Sequence, residues 1–289
     1  MAWFLRFGIM RLRAKWRSLL TLIIGVLLAA LIGANASLYT TAISQVGMVE
    51  FLADQPSEDT AILARTSAIP YDIENVSSYW SSLDSQVIAE ANLAFDGLEA
   101  WSGKVISYAE TQALIAIKDG EDIPDARFRL AYYDFLGEHV ELIEGELPQT
   151  PLDVAIQAEV LINAEAAVLL GIEVGDIIEL DQRGWDTSQI FAVQVSGLIR
   201  PLDNNESYWF EPSPLRFATA GRQIETNLLT TRDAMEIIPA EYIPETSIQI
   251  GWRIAPDTTA LPFTQVEHAA TQIEAYAIGL NDVFLTDED

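Results

Sequence analysis

The sequence predicts an α+β domain held outside the cytoplasm by one N-terminal transmembrane helix. Three observations predict it. A long uncharged apolar run lies near the N-terminus, basic and acidic residues are sharply separated along the chain, and helical and strand-like patterns intersperse without regular βαβ units.

No residue from Ser18 to Val49 is charged. The core of this run, Leu19–Ala36 (LLTLIIGVLLAALIGANA), is long enough to cross a lipid bilayer, since roughly 20 residues rising ~1.5 Å each span ~30 Å of hydrocarbon. Five of the 16 bases (Arg6, Arg11, Arg13, Lys15 and Arg17) and none of the 43 acids precede it, so the rest of the chain carries −32. Cytoplasmic flanks favour Lys and Arg. Residues 1–17 are therefore expected inside as a basic juxtamembrane segment, with Trp3, Phe4, Phe7 and Trp16 at the interface. Residues 18–40 are expected to span the cell (plasma or inner) membrane once. Residues 41–55 read as a helical stalk that Pro56 ends, and 56–289 as the extracytoplasmic domain, with a core unit at about 145–203.

A cleavable signal peptide is the competing reading, because Ala34-Asn35-Ala36 resembles a processing site. The long basic leader and an apolar run exceeding the usual signal length of about 7–15 residues favour an uncleaved anchor. Gly25, Ala29, Gly33 and Ser37 recur every fourth position and line one helix face. Small residues at that spacing let another transmembrane helix approach closely, so a sibling helix is the expected partner of this face. Thr40, Thr41, Ser44 and Gln45 are the polar residues expected on the stalk.

No later stretch approaches the length of a membrane span, so the remainder is expected to be soluble. Asp72 to Ala91 reads as a helix capped by Asp72, with Val76, Tyr79, Trp80, Leu83, Val87 and Ile88 as its apolar face. Strand patterns follow at Lys104–Tyr108, Leu114–Ile117 and Arg127–Tyr132. Asp134 to Ile143 reads as a short helix closed by Gly145 and Pro148. Val154–Ile162 reads as a strand, and Asn163–Leu170 as a helix capped by Asn163 and ended by Gly171. Gly175-Asp176 turns into the strand Ile177–Leu180, and Ile190–Ile199 returns as another. Leu228–Thr231 and Ser247–Ile254 complete the strands. Phe263–Gly279 closes the chain as a helix with Val266, Ala269, Ile273, Tyr276 and Ala277 on one side.

The acidic surface repels phosphates, which argues against a nucleic-acid partner. With no cysteine, neither disulfides nor thiolate metal sites are available. His139 and His268 are the two histidines, and neither has a metal-binding spacing. The segment Gly97–Lys104 (GLEAWSGK) has one residue too many for a phosphate loop, and Val105 stands where Ser or Thr would hold magnesium. Acid pairs such as Glu121-Asp122, the Asp203–Glu206 run and the Asn-x-Ser matches at Asn75 and Asn205 arise readily by chance in so acidic a chain. No catalytic residue, cofactor or metal site is expected.

The order of these pieces resembles the N-terminal part of the MacB/FtsX-type permeases of ABC transporters. The likeness rests on the basic leader with RSLLTLIIGVLLAALIGANASLYTTAI, on Glu144-Gly145-Glu146-Leu147-Pro148, on VLINAEAAVLLGIEVGDIIEL (Val160–Leu180), and on FAVQVSGLIRPLD (Phe191–Asp203) followed by Tyr208-Trp209. The resemblance implies a non-catalytic permease subunit whose MacB-like ectodomain projects on stalk helices. A separate cytoplasmic ATP-binding subunit would drive it, for export, extraction or force transmission across the membrane. The family's later transmembrane helices are not found before Asp289, so a longer chain or sibling permease helices are expected to supply them. An anchored binding module without an ATPase is the alternative expectation. A secreted hydrolase released after Ala36 is a more distant one.

Overall fold

The computed structural model describes residues 43–51, 61–98, 101, 103–149, 156–181, 189–204, 206, 208–209, 218–220, 223–254, 257 and 260–285. The predicted transmembrane segment 18–40 lies outside them. Among the described residues, no helix is long and apolar enough to cross a membrane. The chain divides into two compact units, one of Met1–Asp54 with Pro262–Thr264 and one of Gln55–Leu261 with Gln265–Asp289. In the smaller unit, residues 43–51 form a helix, α1.

The larger unit is α+β, as the sequence predicts. Its strands are β1 (Ile62–Ala68), β2 (Val105–Thr111), β3 (Ile115–Lys118), β4 (Glu121–Asp122), β5 (Ala126–Tyr133), β6 (Val140–Gly145), β7 (Ala158–Asn163), β8 (Ile177–Asp181), β9 (Phe191–Pro201), β10 (Ala218–Ala220), β11 (Gln223–Leu229) and β12 (Ile248–Ile254). They form one mixed sheet in the order β1-β12-β2-β5-β11-β7-β9-β8-β3-β4, with β10 against β11 and β6 against β9. The β5–β11 and β7–β9 pairs are parallel and the others antiparallel.

Central strands bury both faces, and alternation sorts their side chains. Leu130, Val160, Ile162 and Leu228 join the larger core cluster, while their neighbours Ala131, Leu161 and Leu229 join the smaller. Helices cover the first face: α2 (Val76–Ala94), α4 (Ala164–Leu170), α5 (Arg232–Tyr242) and α6 (Val266–Leu285). The second face is closed by the four-residue helix α3 (Leu136–His139) and by the segment that carries Tyr208 and Trp209.

Several predicted boundaries are corrected. Asp72 ends a 3-10 turn begun by Pro70, and Asn75 caps α2 instead, its side chain accepting from the Ser78 N–H at 2.8 Å. Val76, Trp80, Leu83, Val87 and Ala91 form the buried stripe, and Ile88 is exposed. The helix expected across Asp134–Ile143 stops at His139, because Val140–Gly145 pairs with β9. The first residues of the strand expected at Val154–Ile162 lie outside the described residues, and β7 begins at Ala158. The strand expected to run to Thr231 ends at Leu229, since Thr231 caps α5. On α6 the buried face is Ala269, Gln272, Tyr276 and Leu280, which leaves Val266, Ile273 and Ala277 outward.

Candidate functional site

Of the residues predicted to form a helix interface and stalk, Gly25, Ala29, Gly33, Ser37, Thr40 and Thr41 lie outside the described residues. Ser44 and Gln45 fall on α1 and are half-buried. The Gln45 side-chain oxygen accepts the Phe263 N–H within the smaller unit. Ile43, Val46 and Phe51 of the same helix are exposed.

In the larger unit, the sequence segments singled out at 144–148, 160–180 and 191–203 meet in one folded unit. Asn163 ends β7 and caps α4, accepting from the N–H groups of Glu165 and Ala166 at 2.8 and 3.2 Å. Gly171 takes the left-handed conformation that terminates the helix (φ 65°), which a residue with a Cβ adopts only at a cost. Asp176 then holds the turn into β8. Its carboxylate accepts the Glu173 N–H at 2.7 Å and Lys118 Nζ at 2.5 Å, and the same ammonium donates to the Gly171 carbonyl at 2.9 Å. Partial burial works to raise the Asp176 pKa, but the Lys118 hydrogen bond and charge and the Glu173 N–H outweigh it, and the carboxyl titrates below its ordinary value.

Strand β9 crosses this unit with a bulge at Ser196, where the register against β7 slips between Val160 and Leu161. The Ser196 hydroxyl donates to the Val160 carbonyl at 3.2 Å, and its own carbonyl accepts the Glu146 N–H at 2.8 Å. Facing it, β6 is bulged at Ile143. The two irregularities bring backbones together at Gly145 and Gly197. A Cβ at Gly145 would lie 2.0 Å from the Ser196 carbonyl oxygen, and one at Gly197 would lie 2.8 Å from the Glu146 oxygen. Glycine is therefore required at both positions of the crossing.

A second constellation closes the other face of the sheet. The Asp134 carboxylate accepts the Ser107 N–H at 3.1 Å and the Tyr132 hydroxyl, while the Ser107 hydroxyl accepts Trp80 Nε1 at 3.2 Å. The Asp134 carbonyl accepts the Tyr208 hydroxyl at 2.6 Å. The Tyr208 ring stacks on His139 with centroids 3.6 Å apart, and His139 Nδ1 lies 2.8 Å from Glu206 Oε1. Trp209 packs edge-on against Tyr208, its ring N–H donating to the Asp203 carbonyl at 2.9 Å and its carbonyl accepting from Arg253. Burial raises the Tyr132 and Tyr208 pKa values, reinforced by Asp134, and both phenols remain neutral donors. Burial pushes the Arg253 guanidinium down to about 10, so it stays charged at neutral pH. Polar bonds thus clasp Leu202, Asp203, Glu206, Tyr208 and Trp209 where helices cover the opposite face.

Among the described residues, no group of three or more His, Asp or Glu side chains could hold a metal ion. Glu121 and Asp122 are exposed on β4, His268 is exposed on α6, and Asn75 serves as a helix cap. Sequence reasoning placed Asp134 at a helix start, weighed His139 only as a metal ligand and did not single out Arg253. The adjacent aromatics Tyr208-Trp209, already singled out, were the available signal.

No protein-family model matches the chain, and no curated protein does. Among solved structures, the chain is similar to a domain of a protein assigned as a permease from Porphyromonas gingivalis. The identity is 13%, the match covers 68% of this chain and 76% of that one, and the TM-score is 0.27.

Proposed function

We propose that this chain is the N-terminal anchor and ectodomain of an ABC transporter permease subunit, itself without catalytic activity. A separate cytoplasmic ATP-binding subunit would drive it. One observation carries this reading: the three ectodomain segments of the MacB/FtsX resemblance, separate in sequence, come together at the Gly145–Gly197 crossing. The charge-defined topology supports it, with the basic leader inside and the acidic domain outside. The Gly25/Ala29/Gly33/Ser37 face would pack on a sibling permease helix, and the polar stalk residues would stand just outside the bilayer.

The test is co-purification in mild detergent of the full open reading frame expressed with its genomic neighbours. Recovery of an ATP-binding subunit with a permease chain is expected. Gly25→Leu with Gly33→Leu should lower the sibling chain recovered several-fold and leave ectodomain melting unchanged. Recovery of this chain alone would sink the transporter reading and favour an anchored binding module.

A further inference from the structure

Around α3 the surface is unusually apolar for so acidic a domain. Phe135, Leu142, Ile143, Leu147 and Leu202 are between 38% and 61% exposed. Two of them border α3 directly. Leu147 lies against Gly137, whose Cβ would be 3.6 Å from its methyl, and the Leu202 N–H donates to the His139 carbonyl at 3.0 Å. Phe135 has φ 62°, a left-handed conformation that costs a bulky residue energy, and its ring is held outward at the start of α3. Asp134 beside it is fixed by the Ser107, Tyr132 and Tyr208 bonds, so this strained turn is imposed from beneath.

The rim is acidic: Glu138, Glu144 and Glu146 are all exposed. The nearby bases among the described residues are engaged, Arg200 on Glu141 at 2.7 Å and Lys104 over the Phe135 ring at 5.0 Å. Strand β6 offers a poor edge for strand addition, because the bulge at Ile143 and the flanking acids disfavour a regular ladder. Its apolar side chains remain available where its main chain is not.

We propose that this patch docks a basic amphipathic helix of a partner protein, with apolar side chains on Phe135, Leu142 and Leu147 and Lys or Arg on the glutamate rim. The complementarity is electrostatic at the edge and apolar at the centre, the usual arrangement of a protein interface. The surface belongs to the ectodomain alone and does not require the transporter reading.

The absence of cysteine allows a direct test on the full chain in nanodiscs of zwitterionic lipid. A single environment-sensitive dye is placed at Leu142→Cys, and in a control chain at Val168→Cys, an exposed apolar position on α4. The probe is a synthetic Lys/Leu amphipathic helix of about 18 residues, long enough for ~27 Å of contact. A scrambled peptide of the same composition is the comparison. A saturable shift at Leu142→Cys is expected, with none at Val168→Cys and weaker binding of the scrambled peptide. Adding Phe135→Asn, which suits the left-handed backbone, or Leu147→Ser should weaken binding about tenfold without lowering the melting temperature. Equal shifts at both positions, equal binding of the scrambled peptide, or no shift would each overturn the proposal. A shift produced by vesicles alone, or by raising the protein concentration alone, would assign the patch to lipid or to a second copy and overturn it equally.

Discussion

The two faces of the sheet are closed by different means. On one face, α2, α5 and α6 lay down an apolar layer including Trp80, Leu83, Val87, Met235 and Tyr276. On the other, a four-residue helix and the residues Glu206, Tyr208 and Trp209 are tied by Asp134, His139 and Arg253. Apolar packing is non-directional and tolerates exchange at similar volume, whereas a clasp made of hydrogen bonds depends on each donor and acceptor. One polar chain joins the two faces, running from Trp80 through Ser107 and Asp134 to Tyr208.

The largest effect is expected at the glycine crossing beside the clasped face. Gly145→Ala forces a Cβ onto the Ser196 carbonyl and imposes a left-handed backbone, and a loss of about 4 kcal/mol is expected in urea unfolding. A loss below about 1 kcal/mol would mean the crossing can open. On the helix face, Arg232 bonds Asp84 at 2.6 Å and Glu236 at 2.8 Å while lying over the Trp80 ring, and Trp252 donates to Asp84 at 2.6 Å. Asp84→Ala leaves a half-buried guanidinium and an indole N–H short of an acceptor, so about 3 kcal/mol should be lost. This site is the exception to the apolar logic of its face, and a small effect would make that contrast sharper still.

Tyr208→Phe removes one hydroxyl from the clasp, and about 1.5 kcal/mol should be lost. The aromatic resonances of His139 and Trp209 should shift in the NMR spectrum, and the methyl resonances of Leu83 and Val87 should not. The smallest effect is at Asp176. Its lowered pKa means the Lys118 pairing stabilises the fold above the ordinary carboxylate pKa, and that stability is lost as pH falls through the depressed native value. Asp176→Asn should remove about 0.5 kcal/mol at neutral pH and progressively less as the pH falls through the native titration, which parallel acid titrations of the two proteins would read.

Legibility followed the range of the forces involved. Asn163, the helix after it and Gly171 were read correctly because a cap and a left-handed stop are local chemistry. Val140–Ile143 reads as the end of a helix because its pattern is ambiguous, and pairing of Glu141 with Arg200 and of Leu142 with Ile199 makes it strand. Asn75 prevailed over Asp72 as a cap because Pro70 had already committed Asp72 to a 3-10 turn. The Asp134–His139–Tyr208 clasp left no trace beyond the Tyr208-Trp209 pair, since nothing in sequence spacing joins Asp134 to a residue 74 positions on.

By itself the sequence determined the α+β class, the local caps and turns of the β7–α4–β8 unit, and the charge asymmetry from which membrane topology is argued. Those depend on composition, short-range periodicity and the conformational freedom of single residues. Only the tertiary structure decided the strand order, the double bulge that makes Gly145 and Gly197 obligatory, and the apolar patch around a strained Phe135. These arise where distant segments compete for the same hydrogen bonds and the same space, and loop closure over long separations leaves no periodic signature in the chain.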